Sequence, residues 1–166
     1  MAFIGGIIKN QDLLVSSEIY LNIESNNYQE ELHMPLIEWD NTFSVGIQKI
    51  DVQHKKFFSL INVLYDAIMQ GKSEEVVGSV LKELQQYVIF HFKAEESWME
   101  LYHYPDMNKH KLEHQEGAKK VSKLLLDYER GNKTVDIEVL KFLSDWLQNH
   151  ILQVDRNYIP YFQGKI

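Results

Sequence analysis

Residues 84–99 read LQQYVIFHFKAEESWM, and this stretch decides the fold class. His91 follows Leu84 by seven residues and Val88 by three, and Glu95 comes four residues later. At about 3.6 residues per helical turn all four share one face, so the apolar stripe of a helix also carries an imidazole and a carboxylate. The helix opens at Ser73 with Glu74 and Glu75 and continues through Val76, Val77, Val80, Leu81, Tyr87, Trp98 and Met99. Upstream, Phe57, Phe58, Ile61, Leu64, Tyr65 and Ile68 recur at three and four residues, with Gly71 as the stop. Downstream, Pro105-Asp106 breaks the chain and starts a third helix, with Val121, Leu124, Leu125 and Tyr128 on one face until Arg130-Gly131-Asn132. A fourth runs from about Val135 through Ile137, Leu140, Leu143, Trp146 and Leu147. Four amphipathic helices with short connections predict an all-α protein, an antiparallel up-down-up-down four-helix bundle.

The 166 residues suffice for one domain with a sizeable core. The bundle is expected over residues 34–166. Residues 1–33 carry one basic residue, Lys9, against five acids, and read as a flexible N-terminal extension, with Met34-Pro35 an alternative start. The chain has seven histidines and no cysteine, at a net charge of −7. Lack of cysteine excludes disulfides, thiolate zinc sites and cysteine-held iron–sulfur clusters, so any metal must sit on nitrogen and oxygen. The acidic balance argues against nucleic acid as a partner. No apolar run has the length of a membrane span, and the start makes a poor signal peptide, so no membrane insertion and a cytoplasmic location are expected.

The histidines are informative through the faces they occupy. His54 precedes Phe57, Phe58 and Ile61 by three, four and seven residues, which puts it on the buried stripe of the first helix. His110 and His114, spaced by four, lead into Ala118 and Val121 on the third. His150 follows Leu143 and Trp146 by seven and four on the fourth. A lone histidine on such a stripe is ordinarily a hydrogen-bonded core residue. Five inward histidines and an inward Glu95 on four helices are different, because burying so many polar groups without a shared partner costs several kcal/mol in total. A metal centre satisfies them together. Asp155 fits less simply: five residues after His150 advance about 500°, which points it well away from that histidine on a regular helix. Either the helix loosens near Val154, or Asp155 reaches back from just beyond the helix end, or it is a solvated acid beside Arg156. His33 and His103 read as bystanders, and Lys109, Lys111, Lys119, Lys120 and Lys123 as the solvated face of the third helix.

Six or seven ligands exceed the needs of one tetrahedral zinc and suggest two metals bridged by carboxylates. Ligand type alone leaves iron, zinc and copper open. Five histidines to two carboxylates is a nitrogen-rich set, which gives little support to high-valent iron and is compatible with reversible dioxygen binding.

His54 in DVQHKKFF, His91 and Glu95 in HFKAEESWM, His110 and His114 in YPDMNKHKLEHQ, and His150 and Asp155 in WLQNHILQVD together resemble the ligand signature of the hemerythrin family, specifically its single-domain bacterial form. WDNTFSVGIQKID, preceding them, resembles the family's leading segment, and the likeness covers about residues 36–160. The resemblance implies two non-haem irons with an oxo or hydroxo bridge. His110, His114 and His150 would hold one and His54 and His91 the other, with Glu95 and Asp155 bridging both. It implies dioxygen as the ligand, bound at the two-histidine iron, in a carrier, storage or delivery protein rather than an enzyme. Oxygen-consuming enzymes would be the recipients, and a monomer the simplest state. An oxygen or redox sensor, a di-iron peroxidase or nitric oxide scavenger, and a zinc-only bundle remain alternatives. Phe58, Ile61, Trp98, Trp146 and Ile151 are expected near the ligand level. Two positions depart from the family pattern: Trp98 replaces a smaller residue, and Gly117 stands where Phe is usual. Trp98 is expected to fill part of the space so released.

Overall fold

The structure, a computed structural model, describes residues 34–131 and 135–166. The expected extension over 1–33, with His33, lies outside the described residues. Four long helices form the bundle: α1 (Gln48–Met69), α2 (Glu74–Leu101), α3 (Met107–Glu129) and α4 (Ile137–Asn149). There is no strand among the described residues, and no helix there is long and apolar enough to cross a membrane. α2 packs against both α1 and α3, and α4 closes the bundle against α1.

The helix ends follow local chemistry. Asp136 caps α4 by accepting a hydrogen bond from Val139 N at 2.9 Å. Gly71 ends α1 at φ +60°, a left-handed conformation that glycine adopts without a Cβ clash, and Lys72 N reaches back to Ala67 O at 2.9 Å. Between the helices the predicted stripes are buried: Phe57, Phe58, Ile61 and Leu64 of α1, Leu81, Leu84, Val88 and Met99 of α2, Val121, Leu124 and Leu125 of α3, Leu140, Leu143 and Leu147 of α4. Val76 and Ile137, counted among the apolar helix positions, are exposed.

The segment before α1 is tied down by side chains that bond backbone. Asn62 accepts from Ile37 N at 3.1 Å and donates to Ile37 O at 2.8 Å, while Asp51 accepts from Val45 N at 2.8 Å and from Ser44 Oγ at 2.6 Å. These contacts hold Trp39 and Phe43 edge-on to Phe58.

At its C-terminal end α4 loosens. His150–Val154 form a π turn in which Asp155 N bonds His150 O, five residues back. A 3-10 turn (Asp155–Tyr158) and a short helix α5 (Ile159–Phe162) follow. Of the three possibilities for Asp155, the loosening of the helix near Val154 therefore holds. The wider turn brings a residue five positions on under the histidine that a regular helix would point it away from.

Candidate metal centre

The seven candidate ligands come from α1, α2, α3 and the π and 3-10 turns that follow α4, and each is at least 96% buried. All five histidines turn Nε2 toward the two carboxylates. Glu95 Oε1 lies 3.6 Å from His91 Nε2 and 3.8 Å from His54 Nε2, while its Oε2 lies 3.1 Å from His114 Nε2 and 3.9 Å from His110 Nε2. Asp155 divides in the same way: Oδ2 is 3.2 Å from His54 Nε2, and Oδ1 is 3.1 Å from His150 Nε2 and 3.3 Å from His110 Nε2. Each carboxylate thus turns one oxygen toward the side of His54 and His91, Glu95 reaching both and Asp155 only His54. The other oxygen turns toward the trio, Glu95 reaching His114 and His110 and Asp155 reaching His150 and His110. Donor atoms close enough to share an ion form two groups, Glu95 with the trio and Asp155, and Glu95 with the pair. His103 is exposed in the turn after α2, at φ 53°, apart from both groups.

The donor set fits cations. Nε2 of His54 and His150, Oε2 of Glu95 and both Asp155 oxygens are buried without a hydrogen-bond partner, as is Nδ1 of His54 and of His110. Each such atom costs about 1–3 kcal/mol when left unsatisfied, and a positive ion between facing lone pairs removes that cost for several at once. Burial pushes the His91 imidazolium down to about 4 against the attraction of Glu95, and pushes His114 down to about 3 with help from His150 and His110. Both rings are neutral at pH 7 and present the lone pair that a metal needs. Burial would raise Asp155, but the facing His150, His110 and His54 hold it well below the usual carboxylate range. Burial would lower His150, and the adjacent Asp155 carboxylate outweighs it, so that imidazole rises. These opposed shifts reflect one anion shared among imidazoles.

Aromatic rings line each of the five clustered histidines. Phe92 stacks on His114 at 3.9 Å between centroids, Trp146 on His150 at 4.9 Å, Phe57 meets His91 edge-on at 5.3 Å, Trp39 lies 6.5 Å from His54, and Tyr158 lies 5.6 Å from His110. The expectation for Trp98 is overturned. A Cβ on Gly117 would overlap Cη2 and Cζ2 of Trp146, so the ring occupying the space beside Gly117 comes from α4, whereas Trp98 packs half-buried at the core margin. Phe58, Ile61 and Ile151 are buried, as expected.

Three polar contacts were not anticipated from sequence. Tyr158, fully buried beyond the π turn, donates its hydroxyl to Glu95 Oε1 at 2.5 Å, and burial raises it well above the ordinary phenol range, so it stays a neutral donor. His91 Nδ1 donates to Gln53 Oε1 at 2.8 Å, and His114 Nδ1 to Glu96 Oε1 at 3.0 Å. The only sequence signal for the last two is adjacency: Gln53 precedes His54, and Glu96 follows Glu95.

The family model for the hemerythrin HHE cation binding domain matches residues 45–162, the span that holds all seven of these side chains. The chain belongs to the hemerythrin family. It is 35% identical over 128 residues to the bacteriohemerythrin of Methylococcus capsulatus, covering 76% of this chain and 97% of that one. A hemerythrin-like protein of Naegleria gruberi is 38% identical over 120 residues, covering 72% of this chain and 88% of the relative. A solved wild-type hemerythrin superposes with a TM-score of 0.73 at 34% identity, over 76% of this chain and 97% of that structure. In a hemerythrin chain, this buried cluster of histidine, glutamate and aspartate supports a non-haem iron centre.

Proposed function

We propose that the chain binds dioxygen reversibly at a two-iron centre held by His54, His91, Glu95, His110, His114, His150 and Asp155. The observation that carries this reading is the division of each carboxylate between a histidine pair and a histidine trio. That division gives two adjacent positions sharing two anionic bridges, one with three imidazoles and one with two. The position with fewer protein ligands keeps room for a further ligand. An iron pair held there, with an oxo or hydroxo bridge, would supply the electrons for reversible dioxygen binding.

The chain's own residues do the rest. Glu95 is fixed by the Tyr158 hydroxyl, so its two oxygens keep their separate directions. Stacked Phe92 and Trp146 restrain the rings of His114 and His150 and exclude bulk water, which favours release of the bound gas over its protonation and loss. An apolar cavity of about 20 Å³, lined by Phe57, Ile61, Leu147, Trp146 and neighbouring aliphatic side chains, lies against this wall. Its volume is about that of one small molecule and it offers water almost no polar partner, so it suits a nonpolar gas.

The five-to-two ratio of imidazole to carboxylate favours a carrier over a substrate-oxidising enzyme, because fewer anionic ligands stabilise high-valent iron less. The test is to load the full chain with ferrous iron without air and then cycle it between air and argon. A visible charge-transfer band that appears in air and fades under argon over repeated cycles supports carriage. Irreversible bleaching with turnover of a reductant contradicts it and identifies an oxidase or peroxidase.

A further inference from the structure

The outward nitrogens of the histidines are treated unequally. His91 Nδ1 donates to the Gln53 amide oxygen at 2.8 Å, whereas His114 Nδ1 donates to the Glu96 carboxylate at 3.0 Å. Nδ1 of His54 and Nδ1 of His110 are buried without a partner. The construction is the same on both sides: a residue adjacent in sequence to one ligand reaches across to a ligand on the next helix, Gln53 of α1 to His91 of α2, and Glu96 of α2 to His114 of α3. Only the chemistry of the acceptor differs. A carboxylate accepts the N–H more strongly than an amide, pulls the proton toward itself and makes the opposite nitrogen a better electron donor. The Lys111 ammonium, 4.0 Å from Glu96 Oε2 and itself partly exposed, offsets that charge only in part.

Resting on the two-iron reading above, we propose that Glu96 and Gln53 are positioning residues that make the two irons electronically unequal. Glu96 strengthens His114 as a donor and so favours the oxidised state at the three-histidine position. Gln53 fixes the ring of His91 and its Nδ1–H tautomer but adds no charge, leaving the two-histidine position the weaker donor side. An oxidised iron pair would thereby be favoured through the three-histidine position, which is not the side proposed to take the gas. Oxygen affinity is then tuned by a side chain that touches neither the metal nor the gas and acts through His114.

The test uses two charge-changing variants of the full iron-loaded chain, Glu96→Gln and Gln53→Glu, with reduction potential measured by spectroelectrochemistry and iron content measured alongside. Glu96→Gln should raise the potential and weaken dioxygen binding by about tenfold, the lower end of the effect of removing an outer partner of a metal-bound histidine. Gln53→Glu should shift the potential the opposite way. A packing role alone predicts no such sign reversal. In the zinc-loaded chain, the His114 Nδ1–H proton should resonate well downfield of His91 Nδ1–H, and Glu96→Gln should bring the two together. Potentials that stay put, or that move the same way in both variants, overturn the proposal. A wild-type chain that takes up fewer than two irons contradicts the two-iron reading instead, and the zinc-loaded spectra still report whether Glu96 polarises His114.

Discussion

The two ends of the centre are built by different backbone devices. On α3, His110 and His114 stand four residues apart on a regular helix, and their Nε2 atoms come within 3.0 Å of each other. On the last segment His150 and Asp155 stand five apart, and only the π turn between them brings Asp155 Oδ1 within 3.1 Å of His150 Nε2. The regular pair serves one histidine group. The π-turn pair reaches both groups, because Asp155 also lies 3.2 Å from His54. Irregular backbone is used where a residue five positions after a histidine must face the same cluster, whereas Glu95 faces both groups from the regular helix α2.

The largest expected effect falls on that bridge. Asp155→Ala should reduce iron content, measured by elemental analysis, from two per chain to less than one, since both positions lose an anion. His54→Ala should spare the trio position and abolish the dioxygen-dependent absorption band. Retention of the band in that variant would sink the assignment of the gas-binding side.

A smaller effect is expected where α3 and α4 touch. Gly117→Ala should destabilise the fold by about 1–3 kcal/mol in denaturant titrations, because the added methyl overlaps the Trp146 ring, and the helix-propensity gain of about 1 kcal/mol offsets only part of this. Displacing Trp146 also removes its stacking on His150, so autoxidation in air should speed up. Unchanged stability and autoxidation would show that Trp146 relocates freely. Tyr158→Phe should cost about 1–2 kcal/mol by removing the hydroxyl from Glu95, with iron content preserved. The smallest effect is at the bystander: His103→Gly, which relieves a left-handed backbone, should stabilise by less than about 1 kcal/mol and leave iron content unchanged.

The same comparison explains what sequence could and could not reveal. Helical spacing of three, four and seven placed His54, His91, Glu95, His110, His114 and His150 on inward faces, and all six are buried together. Asp155 escaped that rule because a 3.6-residue period does not describe a π turn. Tyr158 escaped it because the residue lies beyond the last regular turn. Gln53 and Glu96 lie one position off the buried stripe, where period gives no hint of reaching a neighbouring helix. Gly117 shows a further limit: spacing says which face a residue occupies and not which ring fills the opposite space, so Trp146 rather than Trp98 is found there.

The central claim is a two-iron centre that takes up and returns dioxygen, and oxygen stoichiometry measures it directly. The reduced, iron-loaded chain should take up one dioxygen for every two irons at an oxygen electrode and return it on sparging with argon, with the same yield over successive cycles. One dioxygen per iron, or uptake that argon does not reverse, would contradict the account.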